Sequence, residues 1–138
     1  SRFTAARAAL AIEQSDQALT WLKPVLTHQT ETLEPGDPQL LETLRLTADI
    51  HQQAGDMQAE LTRRQQVAEQ LTGSKESPGA ENISSALRLL ELYQSNGEVK
   101  RTEPLLGDIE RWLRTGGEEL DELRERYRQA DAKKVGNV

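Results

Sequence analysis

His28 and His51 are the only imidazoles in this 138-residue chain, and cysteine is absent. Imidazole and thiolate are the usual metal ligands, nucleophiles and general bases near neutral pH. A zinc site needs three or four convergent ligands. His28 has Pro24 and Thr32 four residues to either side, so neither a carboxylate nor a second histidine stands at i±4 from it. No serine sits in a Gly-x-Ser-x-Gly elbow. Gly116-Gly117 is followed by Glu118-Glu119, which would repel a phosphate. Acid pairs of that kind cap helices more often than they perform acid/base chemistry. The residues therefore assign no catalytic group, no metal site and no cofactor, and the chain reads as a non-enzyme.

Charge and composition narrow the partners. The formal net charge is −6, with acids and bases interspersed and no basic stripe, so nucleic acid is not an expected partner. No apolar run approaches the roughly 20 residues needed to span a bilayer, and no membrane partner is expected. The lack of cysteine excludes disulfides and thiol chemistry but leaves the redox compartment open. No signal peptide is visible. The sequence starts at Ser1 inside a helical pattern, which reads as a processed protein or a piece of a longer one. Leu, Ala, Glu, Gln and Arg dominate while β-branched and aromatic residues are scarce, which points to an all-α chain. A hydrophobic fraction of 36% is low for a compact globule and suits a stack one hairpin thick.

The elements that must position any binding residue repeat. His51-Gln52-Gln53-Ala54-Gly55-Asp56-Met57 aligns without a gap on Tyr93-Gln94-Ser95-Asn96-Gly97-Glu98-Val99, a spacing of 42 residues (51 to 93). The match extends back through Asp49-Ile50 onto Glu91-Leu92 and forward through Val67 and Leu71 onto Ile109 and Leu113. A fixed period in this range signals stacked helical hairpins. His51, at the Tyr93 position, reads as packing at the turn.

Helical periodicity predicts seven helices: about 2–13, from Ser15-Asp16 to about 33, 39–54, 56–71, 83–95, 99–114 and 118–133. Pro24 is a conflict inside the second, costing a hydrogen bond and a clash. Pro35-Gly36-Asp37-Pro38 and residues 72–82 read as loops, Gly55 and Asn96-Gly97 as turns, and Pro104 as a proline in the first turns of its helix. The expected core includes Leu44, Ala48, Ile50, Leu89, Leu90, Leu92, Leu106 and Ile109. The last helix has acids early and bases late. Its narrow stripe of Leu120, Leu123 and Tyr127 suits a cap over Leu105, Trp112 and Leu113. Residues 135–138 are expected to fray.

The unit Ala86-Leu87-Arg88-Leu89-Leu90-Glu91-Leu92-Tyr93-Gln94-Ser95-Asn96-Gly97-Glu98-Val99, with Thr102-Glu103-Pro104-Leu105-Leu106, resembles a tetratricopeptide repeat. The 42-residue length resembles the longer variant found in kinesin light chains and many bacterial proteins, and 33–38 resembles its inter-repeat loop. The resemblance covers about residues 5–115. It implies an all-α, right-handed helical-hairpin solenoid of about three repeats (about 2–38, 39–82 and 83–116) with a capping helix at about 117–134. All of these form a single domain. The first unit is incomplete: Asp16-Gln17-Ala18-Leu19 fits its second helix one residue out of phase. Arg64 stands where the next unit has Leu106, and Glu60 stands where a small residue is usual. Looser packing or a rotated helix is expected there.

In that family the first helix of each unit lines the concave groove. The resemblance then places Thr4 and Ala8 on the groove in the first unit. It adds Glu42, Arg45, Asp49, Gln52 and Gln53 in the second unit, and Ser84, Leu87, Glu91, Gln94 and Ser95 in the third. This polar face, with one apolar position, suits an extended peptide or a partner helix. The family's carboxylate clamp uses asparagine where this chain has Leu46 and Arg88, which argues against a chaperone C-terminal tail. The implied function is a protein-protein interaction scaffold. The alternative is a self-association module, a homo-oligomer formed through Ala5, Ala8, Ala9 and Ile12 of an uncapped first unit.

Overall fold

A computed structural model describes the backbone of residues 2–136 and the side chains of residues 12–133. Its helices are α1 (Arg2–Thr32), α2 (Pro38–Ala54), α3 (Met57–Thr72), α4 (Ala80–Ser95), α5 (Val99–Arg114) and α6 (Asp121–Gly136). A 3-10 turn, Glu118–Leu120, leads into α6. No strand occurs among the described residues. Two compact units form, Ser1–Gln66 and Val67–Val138, with the boundary inside α3.

The caps follow from local chemistry. Asp37 accepts a hydrogen bond from the Gln39 amide at 2.8 Å, and Pro38, which has no N–H to leave unpaired, opens α2. Gly55 closes α2 at φ 79°, where a side chain would be strained. Gly97 does the same after α4 at φ 71°. Asp56 then accepts from the Ala59 amide at 3.2 Å and starts α3. Both hairpin turns anticipated from the repeat are present.

The first unit differs from expectation. No break occurs at Ser15-Asp16: α1 is one helix of 31 residues, and Ser15 is buried within it. The physical reason lies in the repeat. One repeat length before Gly55-Asp56 stand Glu13-Gln14. Without glycine the left-handed turn costs about 1–2 kcal/mol, and the helix runs on. It also runs through Pro24, giving up the bond that an amide there would make to the Thr20 carbonyl. Pro104 lies in the second turn of α5, within the first turns where it is expected, at the cost of one bond to the Lys100 carbonyl.

In the first unit α1 packs on α2, and Leu26, Leu40, Leu41, Leu44, Ala48 and Leu61 are buried. In the second, α4, α5 and α6 pack pairwise around Ile83, Ala86, Leu89, Leu90, Leu92, Leu106 and Ile109. The expected core holds except for Ile50, which is half-buried. Leu120, Leu123 and Ala130 of the last segment are buried, Tyr127 is half-buried, and Leu105, Trp112 and Leu113 are buried. Residues 137 and 138, part of the stretch expected to fray, lie outside the described residues.

Candidate interaction surface

On α2, Glu42, Asp49, Gln52 and Gln53 are exposed and Arg45 is half-buried. Spacings of three and four residues put Glu42, Arg45, Asp49 and Gln52 on one helix face. Two of these side chains are tied from below. Arg64 of α3, only 4% exposed, donates from Nη2 to Asp49 Oδ1 at 2.9 Å and to Gln52 Oε1 at 3.0 Å. Its Nε donates to Glu60 Oε2 at 2.6 Å, and Glu60 is fully buried. At the two departures from the repeat, a buried guanidinium and carboxylate stand where the third unit has Leu106 and Thr102. A buried pair is tolerated only when its remaining donors and acceptors are bonded, and Asp49 and Gln52 supply that bonding. Glu60 and Arg64 depart from the repeat pattern in the sequence itself. Their i, i+4 spacing on an apolar stripe was the available signal that they pair.

On α4 the corresponding face is covered. Ser84, Leu87, Glu91 and Gln94 share it at helical spacing. Arg126 of α6 donates from Nη1 to Ser84 Oγ and from Nη2 to Glu91 Oε1, both at 2.9 Å. Gln94 Nε2 donates to the Ala130 carbonyl at 2.9 Å. Leu87, between Ser84 and Glu91, is 1% exposed and belongs to the core, while Ser95 is exposed. The side chains of Thr4, Ala5, Ala8 and Ala9 lie outside the described residues.

The apolar pattern of α6 explains why it seats there. Leu120, Leu123, Tyr127 and Ala130 repeat the spacing of Ile83, Ala86, Leu90 and Tyr93 on α4. The places of Leu89 and Leu92, which are buried on α4, are taken by Arg126 and Gln129. The last helix thus keeps one buried stripe and turns the other polar. Arg124 fixes the junction: it donates to the carbonyls of Leu113 (2.8 Å), Gly116 (2.6 Å) and Gly117 (2.9 Å), satisfying the orphan end of α5.

The histidines stay apart. His28 is exposed, and half-buried His51 borders an open groove of about 570 Å³ floored by Leu19, Leu22 and Leu26. No group of three or more His, Asp or Glu is placed to hold a metal among the described residues. No helix among them is long and apolar enough to cross a membrane.

No protein-family model and no curated protein matches the chain. Among solved structures it is similar to the nearly identical TPR-like repeats of a Podosopora anserina protein described as a kinesin light chain. The TM-score is 0.61 at 23% identity, over 96% of this chain and 68% of that one. The architecture is therefore an all-α, TPR-like helical repeat.

Proposed function

We propose that the chain is an interaction scaffold whose α2 face binds a helix or extended peptide of a partner protein, with no chemistry of its own. What carries this reading is the Arg64 network. A buried guanidinium holds Asp49 and Gln52 in place while leaving the Asp49 side chain 64% exposed. Side chains pre-ordered in this way bind without losing further rotamer freedom. Glu42, Arg45 and Gln53 extend the same polar strip, and its acceptors suit a partner that presents backbone amides or a basic side chain.

The second unit supports this by example. In repeat register Ser84, Glu91 and Gln94 correspond to Glu42, Asp49 and Gln52, and on α4 that face holds a helix through an arginine. A partner helix carrying a similarly placed arginine is the ligand to look for. The test is affinity capture followed by calorimetric titration of the purified partner. Glu42→Arg with Gln53→Arg reverses the strip at two exposed positions outside the Arg64 network, so stability should hold. Binding should weaken about tenfold or more if the strip is central to the interface. Unchanged affinity would place the partner elsewhere.

A further inference from the structure

On the side of α2 away from the polar strip, α1, α2 and α3 border a groove of about 570 Å³. Thr47 and His51 on its edge lie about half a helical turn round from Glu42, Arg45, Asp49 and Gln52. The volume falls in the range of ligand clefts, about 300–1,000 Å³. Its floor is apolar: Leu26 is buried, and Leu19 and Leu22 are half-buried. Its hydroxyl protons are committed within the helices. Thr27, Thr30 and Thr47 donate to the carbonyls of Lys23, Leu26 and Thr43, at 3.0, 2.7 and 2.8 Å. The strongest donors left for a ligand are therefore two cations, Lys23 and Arg63. Arg64, Arg88 and every arginine from Arg111 onward lie within 3.8 Å of a carboxylate. Half-buried Arg63 instead donates to the neutral Gln66 amide oxygen at 2.9 Å, and no ion pair engages it among the described residues. Lys23 has no acid three or four residues to either side. The carboxylate that borders the groove, Glu31, stands eight residues on from Lys23, about 12 Å along α1.

We propose that this groove binds an acidic peptide of a partner protein. A large apolar side chain seats on Leu19, Leu22 and Leu26, and the adjacent carboxylate is held by Arg63 and Lys23. Charge complementarity carries the assignment. With one N–H on Gln66, the Arg63 guanidinium keeps others free to take a carboxylate in bidentate fashion. Its half-burial strengthens that attraction relative to a fully hydrated pair. Lys23, which is exposed, adds a compact charge at the mouth. Glu31 repels a second anion and so directs the carboxylate toward Lys23. The net charge of −6 gives the chain no general attraction for an acidic partner, so selection rests on these two cations. A neutral apolar segment leaves Arg63 without an anion, and a basic one meets like charge at both positions. The groove is separate from the α2 strip, and neither reading depends on the other.

Fluorescence anisotropy of a labelled peptide, Ser-Asp-Glu-Leu-Phe-Asp-Ser, titrated with the whole chain tests this. Saturable binding at about 100 μM or tighter is expected in low salt. Two control peptides separate the contributions. Ser-Asn-Gln-Leu-Phe-Asn-Ser keeps the apolar pair, and Ser-Asp-Glu-Ser-Ser-Asp-Ser keeps the acids. Each should bind about tenfold more weakly. Arg63→Glu should weaken the acidic peptide about tenfold or more. Lys23→Glu, at an exposed position, should weaken it about twofold to fivefold. Circular dichroism melts report folding, and Lys23→Glu decides the outcome if Arg63→Glu does not fold. No saturation by the acidic peptide at about 1 mM overturns the proposal. So does equal affinity for the uncharged peptide, or an affinity that Lys23→Glu leaves unchanged. Binding of decanoate where the peptide fails also overturns it and assigns the groove to a small amphiphile.

Discussion

Arg64→Leu converts one position of the second repeat to the residue of the third, yet it should be among the most damaging single changes in the first unit. Arg64 is 4% exposed and Glu60 0%. The substitution removes the cation 2.6 Å from a carboxylate that has no access to water. Breaking a buried pair by deleting one partner costs about 3–5 kcal/mol, because the remaining charge stays desolvated. At roughly 4 °C of melting temperature per kcal/mol for a chain of this size, the fall should be about 12–20 °C. Glu60→Thr with Arg64→Leu rebuilds the Thr102 and Leu106 arrangement. Replacement of a buried pair by packed apolar groups is neutral to stabilising by about 1–4 kcal/mol, so the double variant should recover most or all of the loss. Urea unfolding of the wild type, both single variants and the double variant gives the coupling directly. An Arg64→Leu loss below about 1 kcal/mol would mean that the pair is solvated, and that Asp49 and Gln52 are not held from beneath. A double variant no more stable than the single would mean that shape, not charge, dictates the site.

Leu90 and Leu106 are buried in the second unit, and truncation of either to alanine should cost about 2–5 kcal/mol by urea unfolding. Arg124→Met keeps the stem but removes the donors to the Leu113, Gly116 and Gly117 carbonyls. A loss of about 1–3 kcal/mol is expected, with faster amide exchange across the α5–α6 junction. Tyr127 has its pKa raised above 10.0, first by burial and then by Glu110 and Asp131. The folded state therefore holds this proton more tightly than the unfolded chain, and the stabilisation is complete below the unfolded value. It should fade as pH climbs from about 10 through the higher folded value. Tyr127→Phe should flatten that alkaline limb in melts taken from pH 9 to 12, and an unchanged limb would assign it to other groups.

The hairpins were legible because their turns need glycine. Gly55 and Gly97 adopt positive φ, and the repeat displays them in register with buried residues on either side. The break expected at Ser15-Asp16 is absent for the converse reason. Helical periodicity on both sides of Ser15-Asp16 fits two helices or one equally well. Only the missing glycine at Glu13 separates them, and that absence becomes informative once the repeat is imposed as a frame. Side-chain periodicity reports which residues can share a face, and says little about whether the chain reverses between two such runs.

The α2 strip was legible as a polar face, but not its support. Glu60 and Arg64 were visible as charges on an apolar stripe, and a stripe alone cannot say whether such charges leave the interface or pair inside it. Pairing depends on Asp49 and Gln52 reaching the same guanidinium from a neighbouring helix, over sequence separations of 15 and 12 residues. The same limit applied to Ser84, Glu91 and Gln94. Their exposure in the isolated unit followed from the pattern, whereas their engagement by Arg126 depends on where α6 returns. That return is set by one surviving apolar stripe, Leu120 to Ala130, whose spacing copies α4. A terminal helix with only that stripe can pack against one neighbour while its second stripe turns polar. The residue that ends the apolar repeat, Arg126 at the place of Leu89, is also the one that binds across to Ser84 and Glu91 of α4.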